Sequence, residues 1–206
     1  MFTIRLKDGN TKTFAEPTTI YEIALSISEG LARVATAATV DGRVSDLRDV
    51  IERDCDLNIL TFNDNDGARA YRHTASHALA HAVKRLHPNA RLAIGPSTDE
   101  GFYYDIDNGR PFTAEEIQAI DQEMQKVIKE AIPIERFILP REEALEHVRG
   151  FGESYKEELI QDLPPDAVIM FYKQGDFTDL CAGPHLNHTG QLKAVRLYFE
   201  TGSSGA

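Results

Sequence analysis

Nothing in these 206 residues stays apolar for the roughly 18–20 positions needed to cross a bilayer. The opening MFTIRLKDGN also lacks the basic-then-apolar order of a secretory signal. Cysteine is nearly missing: Cys55 and Cys181 are too few for a disulfide framework, so a reducing, cytoplasmic setting is expected. Basic residues are in deficit, 22 against 33 acidic, and the net charge of −11 argues against nonspecific nucleic-acid binding, which relies on a basic surface. It leaves room for a local basic patch. There is no internal repeat and no low-complexity stretch beyond the small-residue tail GSSGA. What is there, 42% hydrophobic and 27% charged residues, suits a soluble globular protein of one large domain or two small ones.

Residues 1–62 read as one compact unit. FTIRL alternates Phe2, Ile4 and Leu6 on one side, Asp8–Gly9 supplies a hairpin turn, and TKTF starts the return strand. TTIYEIALSIS has helical spacing in Ile20, Ile23, Ala24 and Ile27 behind a threonine N-cap. VATAATVDGRVSDL is a second hairpin turning at Asp41–Gly42, and CDLNILTF is a closing strand. The order β-β-α-β-β with short connections predicts a β-grasp, ubiquitin-like fold. NDNDGAR (63–69) reads as a polar linker.

The expected second unit, residues 63–206, mixes its elements in blocks, so the fold class is α+β with a mainly antiparallel sheet and flanking helices. A helix is expected from about Ala68 to Leu86, and strands in RLAIG, GFYYDID, IPIERFIL, AVIMFYKQG, DFTDL and AVRLYFE. TAEEIQAIDQEMQKVIKEA (113–131) is an amphipathic helix opened by a Thr113–Glu116 capping box, and REEALEHVRG and ESYKEELIQDL are shorter helices.

The chemistry concentrates in HTASHALAH, which spaces His73, His77 and His81 four apart. At about 100° per residue they lie opposite the seam of Ala75, Ala78, Leu79, Ala82, Val83 and Leu86. One such histidine is ordinarily a solvated residue; a register of them points to a polar cleft. DLCAGPH offers Cys181 and His185 on a turn shaped by Gly183 and Pro184. An HxxxH helix with a CxxxH loop has the composition of a Cys–His₃ zinc site, and equally that of bases and donors around an activated water. Singly, Cys181 reads as a small buried hydrophobe, His185 as a loop residue capping a carbonyl, Lys156 as solvated and Tyr104 as core.

The run HTASHALAHAVKRLHPNARLAIGPSTDEGFYYDID, with SYKEEL and DLCAGPH, closely resembles the N-terminal half of bacterial-type threonyl-tRNA synthetases, along essentially the whole chain. The resemblance implies a TGS domain, a β-grasp module, followed by the editing domain shared with alanyl enzymes and their free-standing relatives. The activity it implies is hydrolysis of seryl-tRNA(Thr). The missing methyl that separates serine from threonine gives a synthetic pocket only about 1–3 kcal/mol of discrimination, so a second, hydrolytic pocket is needed. Carried onto this sequence, the pattern makes His73 and Lys156 the groups that orient or activate water. His77, Cys181 and His185 line the pocket, Tyr104 and Asp179 position substrate, and His81 stands outside. A lysine base would require its pKa to be lowered by burial or nearby cations.

No cofactor is expected to be required, with zinc on His73, His77, Cys181 and His185 as the alternative. The acceptor end of tRNA(Thr) carrying serine is the expected partner, touched by Lys84, Arg85 and Arg91. The family's class II core and anticodon-binding domain have no counterpart in these residues, so aminoacylation is not expected. The chain would be a synthetase fragment or a free-standing editing protein. A zinc-dependent hydrolase of another small ester or amide and a non-catalytic tRNA- or nucleotide-binding module are the competing readings.

Overall fold

The computed structural model describes residues 1–197. Its first part opens with β1 (Phe2–Leu6) and β2 (Thr11–Phe14), an antiparallel hairpin closed by Gly9 in the left-handed region at φ 86°. After the two-residue β3 (Thr18–Thr19) comes α1 (Ile20–Ile27), whose Thr19–Glu22 capping box satisfies otherwise orphan N–H groups. Next follow α2 (Glu29–Val34), β4 (Ala37–Val40), β5 (Arg43–Ser45), the short β6 (Val50–Ile51) and β7 (Cys55–Leu60). β7 lies parallel to β1 and antiparallel to β4, giving the sheet order β2-β1-β7-β4-β5 of a β-grasp. Ile20 and Ile23 of α1 pack on Ile4, Leu47 and Leu57 to form this part's core, and Ala24 on the same helix is buried. Cys55 joins it.

The expected linker is instead helical. α3 (Asn65–Leu86) begins three residues ahead of its predicted start, straight after Asp64 accepts a hydrogen bond from the Thr61 N–H at 2.8 Å. Gly67 explains why the stretch looks like a loop in sequence. A Cβ there would collide with the Thr61 carbonyl, so glycine marks a close backbone approach rather than a break.

The 22 residues of α3 extend about 33 Å at 1.5 Å per residue. Its small residues Ala75, Ala78 and Ala82, with Val83, bring it close to Ile120, Met124 and Val127. Ahead of that partner lie β8 (Arg91–Leu92) and β9 (Ile106–Asp107). These two-residue strands are what remains of the longer strands expected in RLAIG and GFYYDID. Beyond them pairing continues only as separate bonds, Ala93 and Ile94 with Asp105 and Tyr103 with Pro96, and an isolated Ser97–Phe102 bridge, because Gly95 is pressed against the Tyr104 ring and Pro96 has no N–H.

The partner helix is α4 (Ala114–Lys129), opened by the Thr113–Glu116 capping box as expected. Then come β10 (Ile134–Ile138), α5 (Arg141–Gly150), α6 (Ser154–Asp162), β11 (Met170–Gln174) and β12 (Phe177–Leu180). β10-β11-β12 is an antiparallel sheet, which makes the chain α+β. The strand expected in AVRLYFE is not formed over residues 194–197, and its remainder and the GSSGA tail lie outside the described residues. Among the described residues no helix is long and apolar enough to cross a membrane.

Candidate active site

Two elements supply the cluster. α3 presents His73 and His77 on successive turns, with ring centroids 5.2 Å apart. The loop after β12 brings His185 to 4.3 Å from the His73 ring and 4.2 Å from that of His77. Cys181 Sγ stands 3.3 Å from both His73 Nε2 and His185 Nε2 and accepts the Gly183 N–H at 3.1 Å. One donor atom from each of the four residues lies within 4.8 Å of the others. A tetrahedral zinc, with Zn–S near 2.3 Å and Zn–N near 2.0 Å, sets an S···N edge of about 3.5 Å. The observed sulfur–nitrogen separations come close to that.

Protonation fits as well. Burial, only partly offset by Asp179, pulls His77 down to about 3; burial, aided by His77 and His73, holds His185 well below the usual imidazole range. His73 is lowered by burial too, so the rings are the neutral imidazoles that a metal needs. Burial pushes the Cys181 thiol up to about 12, and a metal would have to displace its proton. The expectation that no metal is required is therefore corrected: the four side chains form a zinc-type donor set, with His185 Nδ1 held 3.0 Å from Thr74 Oγ1 in the manner of an outer-sphere partner.

Beside the donors lies a buried charge network. β12 alternates, so Phe177 and Asp179 point inward together, while α6 turns Lys156 and Ile160, four apart, toward the core. Lys156 Nζ is 2.8 Å from Asp179 Oδ1 and donates to the Tyr104 hydroxyl at 3.0 Å. Tyr104 donates to Asp179 Oδ2, and His77 Nε2 is 3.4 Å from that same oxygen. Burial alone would push the Asp179 carboxyl up; Lys156 first, then His77 and the hydrogen bonds, outweigh it and keep the group lowered. Lys156 Nζ is thus held between a buried carboxylate and a phenol hydroxyl.

Both groups border one open cleft of about 450 Å³, lined by His73, His77, Gly95, Tyr104, Lys156, Asp179 and Cys181. That volume is in the range of small-molecule sites, about 300–1,000 Å³. His81, one turn on, is buried away from the four donors, with Nε2 2.9 Å from Asp176 and its ring stacked on Phe177. Lys84 holds Glu153, Arg85 holds Glu123 and Glu130, and Arg91 holds Asp107. Any phosphate reaching these three must displace a carboxylate.

Residues 2–61 match the TGS domain family, and residues 169–205 match the family described as "Threonyl and Alanyl tRNA synthetase second additional domain". The chain is 55% identical to the threonine–tRNA ligase of Acetivibrio thermocellus over 203 residues, covering 98% of this chain and 32% of that protein. The ligase of Clostridioides difficile is 52% identical over the same shares, and that of Desulforamulus reducens 54% over 96% and 31%. The chain corresponds to the N-terminal region of threonyl-tRNA synthetases. It spans about a third of the length of these synthetases. The second-additional-domain match includes Asp179, Cys181 and His185, whereas His73, His77, Tyr104 and Lys156 lie between the two matched segments, where similarity to the synthetases alone extends.

Sequence reasoning missed Thr74, Tyr172, Asp46 and Arg48. Thr74 was legible in principle, as a polar residue within the apolar seam of α3. Asp46 and Arg48 were not, because their partners in the Cys181–His185 loop stand up to 139 positions away.

Proposed function

We propose that the chain hydrolyses the ester of seryl-tRNA(Thr), with residues 1–62 as a TGS-like unit and residues 63–206 as the editing unit. The observation that carries this reading is the convergence of the Cys–His₃ donor set and the Lys156–Asp179–Tyr104 network on one open cleft, in a chain so similar to threonyl-tRNA synthetases. His73, His77, Cys181 and His185 would hold zinc, which when bound supplies Lewis acidity and a fixed positive charge beside the ester.

The chain's own groups do the rest. Two of the three Lys156 N–H groups are taken by Asp179 and Tyr104, leaving the third for the ester carbonyl oxygen as it gains charge. Asp179 fixes that ammonium, and Tyr104 closes the triangle. His73, half-buried while His77 and His185 are buried, lines the side on which water enters. Lys156 orients the carbonyl for that water: the water oxygen adds to the carbonyl carbon, the bond to the ribose oxygen breaks, one water proton passes to that oxygen and the other to solvent, and serine leaves as a carboxylate. The tRNA(Thr) acceptor end is the partner.

The test is deacylation of seryl- and threonyl-tRNA(Thr) by the purified chain, with metal content measured in the same sample. Selective loss of serine, about one zinc per chain and a fall of roughly 100-fold or more in Lys156→Ala are expected. No hydrolysis of either ester by folded, metal-loaded protein would refute the assignment.

A further inference from the structure

The Cys181–His185 loop has little regular structure to hold it. Its backbone is fastened mainly by side chains, and two of these come from the β-grasp part of the chain. Asp46, in the turn after β5, accepts the His185 N–H at 3.1 Å and the Tyr172 hydroxyl at 2.8 Å. Gly183 leaves no room for a Cβ against that same hydroxyl, so Tyr172 presses directly on the loop. Arg48 donates to the carbonyls of His185 at 3.1 Å, Leu186 at 2.7 Å and Ile134 at 2.6 Å, and its guanidinium is held by Asp46 at 2.9 Å. The N–H and C=O of His185 are thus both gripped from the β-grasp unit, while Thr74 holds its ring. Asp46 is buried and Arg48 largely so.

We propose that Asp46 and Arg48 are positioning residues for the Cys181–His185 donor pair, so that the β-grasp unit is a working part of the site and not an appended module. Arg48 has a geometry suited to the task, because a planar fork with five donors can bind several carbonyls at once and an ammonium cannot. The effect on hydrolysis rests on the reading above; the effect on the loop and on metal uptake does not.

The experiment uses the whole chain with Arg48→Ala, Asp46→Asn and Arg48→Lys. Arg136→Gln is the control, since it removes another ion pair between the two parts, Arg136–Asp49 at 2.6 Å. Arg136 makes no hydrogen bond to the loop, which Asp49 reaches only through the Asp46 N–H at 3.0 Å. Hydrogen exchange of residues 181–186, Co(II) titration followed by its visible band, and seryl-tRNA(Thr) deacylation are read for each. Arg48→Ala and Asp46→Asn should speed exchange in the loop while strands β1 and β7 keep their protection. They should weaken Co(II) binding about 10- to 100-fold, the range for outer-sphere partners of a metal site, and lower kcat more than they raise KM. Arg48→Lys should recover part of each loss, and Arg136→Gln should match the wild type.

Unchanged loop exchange and Co(II) affinity in both Arg48→Ala and Asp46→Asn would overturn the proposal. So would equal losses in Arg136→Gln, which would reduce the effect to general docking of the two parts. Loosened loops in a chain whose wild type hydrolyses nothing would uphold the positioning role and sink the hydrolytic reading instead.

Discussion

Replacing Lys156 by methionine removes the ammonium but leaves its carboxylate in place. Asp179 is 4% exposed and would keep only the Tyr104 hydroxyl and the His77 ring, 3.4 Å away. Breaking a buried pair from one side costs about 3–5 kcal/mol, because an uncompensated charge stays behind. For a chain of this size about 2–4 °C is lost per kcal/mol, so a fall in Tm of about 6–20 °C is expected. Adding Asp179→Asn removes the stranded charge. The double variant should then regain most of the stability, with a coupling energy of about 2–3 kcal/mol, yet remain inactive. Urea unfolding of metal-stripped protein, with the m-value checked for constancy, measures all four corners of the cycle. A Lys156→Met cost below about 1 kcal/mol, or a double variant equal to the sum of the singles, would refute the claim that this pair is a buried clamp.

Thr74→Val removes the hydroxyl that accepts the Leu186 N–H at 3.0 Å and meets His185 Nδ1 at 3.0 Å. With two buried groups unpartnered at about 1–3 kcal/mol each, a loss of roughly 2–6 kcal/mol and weaker Co(II) binding are expected from urea unfolding and titration. Thr113→Ala breaks the α4 capping box far from the cleft. It should cost about 1 kcal/mol in unfolding while leaving seryl-tRNA deacylation untouched.

The β-grasp part was legible because each of its signals is local. Alternation in FTIRL, the Asp41–Gly42 turn and the spacing of Ile20, Ile23 and Ala24 all concern residues within a few positions of one another, and the structure contains each of them. The α4 helix was legible for the same reason. RLAIG and GFYYDID misled because their β-branched and aromatic residues serve a cleft wall, where Ser76 rather than a neighbouring strand binds the Gly95 carbonyl at 2.7 Å. Pairing of His73 and His77 with Cys181 and His185 followed from ligand chemistry. That chemistry could not say whether the donors would meet or stand apart; the structure brings Cys181 Sγ to 3.3 Å from His73 Nε2 and His185 Nε2. Lys156 carried one unused signal, since it sits four residues from Ile160 on the buried side of α6, where a lysine requires a partner.

The helix that begins where a linker was expected has a consequence for handling the chain. Proteases cut where backbone is exposed and loosely bonded. Between Leu60 and Gly67 they meet a strand end, a turn locked by Asp64 and the first turn of a helix pressed against Thr61. This joint is a splint, and limited digestion should spare it. Anyone severing the two units for separate expression would be cutting through the foot of the helix that carries the histidines.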